Sequence, residues 1–130
     1  MKVEIPDFEY GGKIPKKFTC DGEDINPQIL ISDIPKETSN LELIVDDPDS
    51  PTGIWIHWIL KNIAPTTKEI SENSIPKGAV EEITTFGKNG YGGPCPSKGE
   101  HRYFFKLTAF DKNGNSIAQA EWAGRYSRTL

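Results

Sequence analysis

Asp46-Asp47-Pro48-Asp49-Ser50-Pro51 runs almost at once into Gly53-Ile54-Trp55-Ile56-His57-Trp58. This stretch decides the fold, because it joins the end of one apolar run to the start of another through a proline-fixed turn. Upstream, Leu41, Leu43 and Val45 alternate with Glu42 and Ile44, the period of a strand. Downstream, Ile54 to Leu60 predicts a second strand, and Arg102 to Phe110 a third. Asp111-Lys112-Asn113-Gly114-Asn115 carries an Asn-Gly pair between apolar runs, a strong hairpin signal. It leads into a further strand over about Ala118 to Tyr126, with others over Val80 to Thr85 and Lys2 to Phe8. Thr66 to Ser74, bounded by Pro65 and Pro76, is too polar and short for a helix. No helix is expected.

The remaining composition agrees. Ten prolines and twelve glycines break the chain into short elements. At 130 residues it suits a single domain over 1–130, long enough for a core without obligatory metals or disulfides. Hydrophobic residues make up 35% and charged residues 26%, the balance of a soluble globular chain. A net charge of -4 without a Lys/Arg-rich run argues against nucleic acid as a partner. No apolar stretch approaches the roughly 20 residues of a membrane span. Met1-Lys2-Val3-Glu4-Ile5 does not read as a signal peptide, so the expected location is the cytoplasm. There, the default for Cys20 and Cys95 is two free thiols.

Side-chain alternation places the chemistry. The only two histidines, His57 and His101, each lie near a loop–strand junction. In the second strand Trp55, His57 and Ile59 share one face, and Ile54, Ile56, Trp58 and Leu60 the other. Both faces are mostly apolar, so this strand is expected to be central and covered on both sides. In the third, His101 and Tyr103 share a face, with Arg102 opposite. One pocket holding Trp55, His57, His101 and Tyr103 is therefore allowed. Gly92-Gly93-Pro94 leaves little side-chain bulk, so its backbone N–H groups are expected to approach an anion closely. Read blandly, Asp47-Pro48-Asp49 and Gly-Gly-Pro are ordinary turns, and His57 is a satisfied core residue. Asp46, Asp47, Asp49 and the histidines could ligate a divalent ion, but no H-x-x-x-H, H-x-H or Cys-pair spacing supports a metal. Ser50 and Ser97 lie near the histidines, but no Gly-x-Ser-x-Gly elbow marks a nucleophile, so no enzyme and no cofactor are expected.

The ordered set of Ile14-Pro15, Phe18-Thr19-Cys20-Asp21-Gly22, Asn26-Pro27, Asp47-Pro48-Asp49 with Pro51, Trp55 with His57, Gly93-Pro94 and His101-Arg102-Tyr103 resembles the phosphatidylethanolamine-binding protein family, that of Raf kinase inhibitor protein. Ala118-Gln119-Ala120 and Gly124-Arg125-Tyr126 extend the resemblance, and the Cys-Pro form of the second loop is most similar to its short prokaryotic branch. The resemblance implies a two-sheet antiparallel Greek-key β-sandwich. It carries Asp47, His57, Gly93, Pro94, His101 and Tyr103 over as an anion pocket, with Pro51 and Trp55 as its apolar wall. Asp49 and Arg102 are carried over as loop-supporting residues. Asp47 is expected to pair with the pocket histidine and, set beside His57, to favour its imidazolium. The implied ligand is a small anion, a phosphorylated headgroup or a phosphorylated side chain. A second implied role is inhibition of a chymotrypsin-like or elastase-like serine protease, or of a kinase, through an exposed loop such as Ser71 to Lys77 or Gly87 to Tyr91. A hydrolase using His57 and Asp47 is a third. The resemblance also places Cys20 and Cys95 near the pocket mouth, where a bridge becomes possible, and suggests a homodimer. Many prokaryotic members carry a partly helical insertion after the position of Phe110-Asp111. The tight turn Lys112-Asn113-Gly114-Asn115 replaces it here, so the pocket rim on that side is expected to be more open.

Overall fold

In the computed structural model, which describes residues 1–128, alternation in the sequence becomes alternation in burial. Strand β4 (Asn40–Asp47) buries Leu41, Leu43 and Val45 completely or nearly so, while Glu42 and Ile44 are half-buried on its other face. Strand β8 (Glu100–Phe110) does the same with His101, Tyr103, Phe105, Leu107 and Ala109. The two strands pair antiparallel, and Leu43 faces Leu107 while Val45 faces Phe105. Such cross-strand apolar pairs on one covered face fix register, because a slip of one residue would turn every core side chain to solvent.

The other strands assemble around that pair. They are β1 (Lys2–Glu4), β2 (Gly12–Lys13), β3 (Ile29–Ser32), β5 (Trp55–Ile63), β6 (Glu69–Ile70), β7 (Val80–Glu81) and β9 (Ser116–Ser127). One sheet has the order β1-β3-β6 and the other β2-β9-β8-β4-β5-β7. A single cluster of buried side chains draws on both, with Val3, Ile29, Ile31 and Ile70 from the first and Leu41, Leu43, Trp58, Leu60, Phe105 and Leu107 from the second. Among the described residues the helical content is one 3-10 turn at Lys16–Phe18. No helix there is long and apolar enough to cross a membrane.

The expected hairpin between β8 and β9 forms. Asp111 Oδ1 accepts the N–H groups of Asn113 and Asn115 at 2.9 Å each, and Gly114 takes the positive φ of 82° that the turn demands. This turn follows Phe110, whereas the pocket described below lies at the Glu100 end of the same strand. At about 3.3 Å per residue the two ends are roughly 30 Å apart. The turn therefore does not border the pocket, and the expectation of a more open rim there is not met.

Several further expectations are corrected. The large sheet is mixed, because β2 runs parallel to β9 with Gly12 opposite Gly124 and Lys13 opposite Arg125. Strand β5 does not keep period two. Asp46 faces Ile56 while Val45 faces Trp58, so one extra residue, His57, is inserted between neighbouring pairs. His57 and Trp58 are consequently both buried, and Trp58 and Leu60 join the core beneath Trp55 and His57 rather than facing away. The other side of β5 is not covered: Ile56 and Ile59 are half-buried and Ile54, just before the strand, is exposed. Buried Trp58 still finds a partner, donating its indole N–H to Glu81 Oε2 at 2.8 Å across to β7. The predicted strand Val80 to Thr85 is a ladder only over Val80–Glu81, although Glu82 and Thr85 still donate to Ile59 and Ile56. The strand at the N-terminus stops at Glu4, ahead of Pro6, which has no N–H to donate. Strand β3, which the sequence pattern did not mark, supplies Ile29 and Ile31 to the core. Cys20 and Cys95 form a disulfide rather than two free thiols.

Candidate functional site

A cavity of about 260 Å³ opens where β4, β5 and β8 meet their loops. Its strand-borne lining is Asp47, Trp55, His57, His101 and Tyr103; its loop-borne lining is Ser50, Pro51, Thr52, Phe86, Cys95, Pro96 and Ser97. The strands position the first set for a simple reason. Asp47 is the last residue of β4, His101 is near the start of antiparallel β8, and the extra residue in β5 turns His57 inward between them.

Asp47 is 4% exposed and its two oxygens do different work. Oδ1 accepts the backbone N–H of Asp49 at 2.7 Å, closing the turn over Pro48. Oδ2 meets His101 Nδ1 at 2.6 Å. The carboxylate thus pairs with His101, not with His57 as expected. Asp49 anchors the same turn to β8. Its Oδ2 accepts both the backbone N–H and the Nε–H of Arg102 at 2.9 Å, and its Oδ1 accepts from Nη2 at 2.8 Å. This bidentate guanidinium lowers the Asp49 pKa to about 2. Asp49 and Arg102 stand outside the cavity and fix the loop that carries Ser50 and Pro51 into it.

His57 is 3% exposed and answers to a different partner. Its Nδ1 lies 2.7 Å from the Gly92 carbonyl. A carbonyl only accepts, so Nδ1 carries the proton and Nε2 is the nitrogen left for the cavity. Burial is the largest influence on this ring and lowers its pKa; the Gly92 carbonyl and the Asp47 charge raise it by less. His57 is therefore held towards the neutral form, the reverse of the imidazolium expected from a neighbouring carboxylate. Its ring stands edge-on to Phe86 at 5.1 Å and to Tyr103 at 5.2 Å between centroids, and Trp55 stands edge-on to Phe86 at 5.6 Å.

Gly92, Gly93 and Pro94 do not form the expected cradle of free N–H groups. Gly92 N–H donates to the His57 carbonyl at 3.0 Å, and Gly93 N–H donates to Asp24 Oδ1 at 2.7 Å. Both donors are spent on the fold, and neither Gly93 nor Pro94 lines the cavity. Their small size serves packing instead. A Cβ on Gly92 would lie 2.5 Å from the Phe86 ring, and one on Gly93 would overlap the Phe18 carbonyl. Pro94 accepts the Cys20 N–H at 3.1 Å. The segment is the platform that seats His57 and Phe86.

Tyr103 is 1% exposed, and among the described residues its hydroxyl makes no well-formed hydrogen bond, only a weak approach from the Cys95 backbone. Burial pushes its pKa up, so the phenol stays protonated. Buried orphan hydroxyls are rare because each carries an uncompensated desolvation cost. Among the described residues no group of three or more His, Cys, Asp or Glu is arranged to hold a metal.

The structure thus brings Asp47, Pro51, Trp55, His57, His101 and Tyr103 to one cavity and leaves Asp49, Gly93, Pro94 and Arg102 behind it. Sequence reasoning missed Phe86, Pro96 and Thr52 as lining residues, and Gly92 and Asp24 as supports. Phe86 carried one signal, an isolated aromatic in the polar, glycine-flanked stretch Thr84-Thr85-Phe86-Gly87.

Comparison with known proteins gives a consistent result. A UPF0098 protein of Aquifex aeolicus is 40% identical over 152 aligned residues, covering 98% of this chain and 89% of the relative. One from Archaeoglobus fulgidus is 49% identical over 111 residues, covering 80% of this chain but 38% of the relative, so the chain spans well under half of that protein. A crystal structure of a phosphatidylethanolamine-binding protein homologue from Chlamydia trachomatis superposes with a TM-score of 0.92 at 37% identity, covering 98% of this chain and 97% of the other. E. coli YbcL, described as a member of the mammalian family of these proteins, gives 0.91 at 26% identity with 98% of each chain covered. A model of the phosphatidylethanolamine-binding protein family matches residues 4–127. With that match running through every strand that builds the cavity, the chain belongs to the phosphatidylethanolamine-binding protein family.

Proposed function

We propose that this pocket binds a small anionic group, with phosphate as the reference ligand, either free or carried on a headgroup or side chain. The observation that carries this reading is the convergence of His57 and His101 on one cavity. Each has Nδ1 already satisfied, so each offers Nε2 to the cavity. The Tyr103 phenol and the hydroxyls of Ser50, Thr52 and Ser97 supply further donors around the same space. No lysine or arginine lines the cavity, so the positive charge that an anion requires must come from the imidazoles. Binding should then be coupled to proton uptake. At about 260 Å³ the cavity is at or below the lower end of drug-sized sites, which suits a headgroup rather than a whole lipid.

Binding is favoured over catalysis because neither serine is paired with a histidine, and Asp47 is committed to His101. Neither candidate inhibitory loop is favoured: Ser71 to Lys77 is largely exposed, but it bends at Asn73 with a φ of 52° and is tied to Asn26 through the Asn73 and Ser74 N–H groups. Such a loop is presented extended, whereas Gly87 to Tyr91 is folded back, with Thr84 and Lys88 hydrogen-bonded and Ile83 bridged to Asn89.

Thermal unfolding in rising inorganic phosphate tests the reading. A ligand at about 100 times its Kd stabilises the folded state by roughly 2.7 kcal/mol. The expected result is a rise in Tm for the wild type, greater at pH 5.5 than at pH 8 with sulfate, whose charge is constant across that range. The rise should be lost in both His57→Ala and His101→Ala. An equal rise in both variants would overturn the assignment.

A further inference from the structure

The loop that enters the pocket from Tyr91 is tied down residue by residue. Tyr91 Oη donates to the Phe18 carbonyl at 2.7 Å, Gly93 N–H donates to Asp24, and Pro94 accepts from Cys20 N–H. The Cys20–Cys95 disulfide is the next tie, joining positions 75 apart in sequence. Beyond it, Ser97, Lys98 and Gly99 are exposed and, among the described residues, make no hydrogen bond before β8 begins at Glu100. Yet this stretch supplies Cys95, Pro96 and Ser97 to the cavity. The disulfide and the buried Pro96 beside it are therefore the last ties before the pocket's free rim. The disulfide is also reachable, because Cys95 is exposed at the cavity mouth.

We infer that the Cys20–Cys95 disulfide is a redox latch on the pocket, and that its reduction weakens anion binding. The inference rests on the anion-pocket reading above. The chemistry is thiol–disulfide exchange with a dithiol reductant. One reductant thiolate attacks a disulfide sulfur to form a mixed disulfide and release the first cysteine; the second reductant thiol displaces the other. Two electrons and two protons pass to the protein, leaving two cysteine thiols, and the reductant leaves as its own disulfide. In the oxidised protein the rim is ordered before ligand arrives. In the reduced protein that ordering is charged against binding. A disulfide that only staples the fold would lower stability on reduction and leave the affinity of the folded protein unchanged.

Calorimetric titration of inorganic phosphate separates these cases. The oxidised protein, the protein reduced with dithiothreitol and the Cys20→Ser/Cys95→Ser variant are compared at 10 °C, with near-ultraviolet circular dichroism confirming that each is folded. Freezing one or two rim side chains on binding corresponds to about a tenfold rise in Kd for both open forms. Equal Kd in all three overturns the latch while leaving the pocket intact. No binding by the oxidised protein removes the pocket reading, and the latch with it. If the serine variant does not fold, joining both thiols of the reduced chain through one methylene carbon provides the second arm. The bridged protein must bind like the oxidised one, and a chain capped separately at each thiol must not; the reverse order overturns the latch.

Discussion

Asp47, His57, His101 and Tyr103 reach the pocket from strands whose registers are fixed by buried cross-strand pairs, whereas Ser50, Phe86, Cys95 and Ser97 reach it from loops held by individual hydrogen bonds, an ion pair and a disulfide. The first set forms a floor whose position follows from the core. The second forms a rim whose position depends on a disulfide, a bidentate ion pair and two glycines with no room for a side chain. The contrast teaches that a small β protein can fix the floor of a cavity through its core while its rim rests on a separate set of ties.

The largest test of this contrast removes the longest-range rim tie. The Cys20→Ser/Cys95→Ser variant should lose about 4.5 kcal/mol of stability by the loop-entropy model for a separation of 75 residues, measured by urea unfolding. A loss below about 1 kcal/mol would show that the hydrogen bonds of Tyr91, Gly93 and Pro94 hold the rim unaided.

Gly93→Ala comes next. Its added methyl would meet the Phe18 carbonyl, which is backbone and cannot swing aside, so a loss of about 3 kcal/mol is expected. A neutral outcome would mean that the platform beneath the rim is softer than the strands beside it.

Two tyrosines sharpen the comparison with opposite signs. Tyr91→Phe removes a made bond to the Phe18 carbonyl and should cost about 1 kcal/mol. Tyr103→Phe removes a buried hydroxyl that has no well-formed partner, so stability should be unchanged or rise by up to about 1 kcal/mol. A clear loss in Tyr103→Phe would show that the orphan hydroxyl is satisfied in solution.

The smallest effect concerns Asp49. Its carboxyl is more acidic in the folded chain, about 2 against 3.8, so it stabilises the fold above the unfolded value. That contribution should fade as pH falls from about 4 to 2, and the wild-type stability profile should show it there. Asp49→Asn should flatten the profile in this window, and an unchanged profile would mean that solvent screens the pair with exposed Arg102.

Much of the floor was legible in sequence, and little of the rim. Alternation in Leu41, Leu43, Val45 and in His101, Tyr103, Phe105 placed β4 and β8 and the faces of their side chains. Asp111 and Asn113-Gly114 placed the hairpin by local turn chemistry. The inserted residue in β5 was hidden, because a period-two pattern of apolar residues on both faces looks the same with or without a bulge. Histidine partners were hidden too. Asp47 chose His101 and His57 chose Gly92 through distances set by register and loop packing, which adjacency along the chain does not encode. The parallel β2–β9 pair rests on two residues, too short a run for any periodic signal. Cys20 and Cys95, far apart in sequence, were brought together by the same packing that spent the Gly92 and Gly93 donors.

The most direct test of the pocket uses the fact that the chain has only two histidines. Their imidazole resonances can be followed by NMR as sulfate is added at constant pH and ionic strength. If the floor is the anion site, both rings shift along one binding curve with a common Kd, and the protein takes up protons as it saturates. If sulfate binds while both rings stay still, or if the two rings titrate with unrelated constants, the His57–His101 pocket is not where the anion sits.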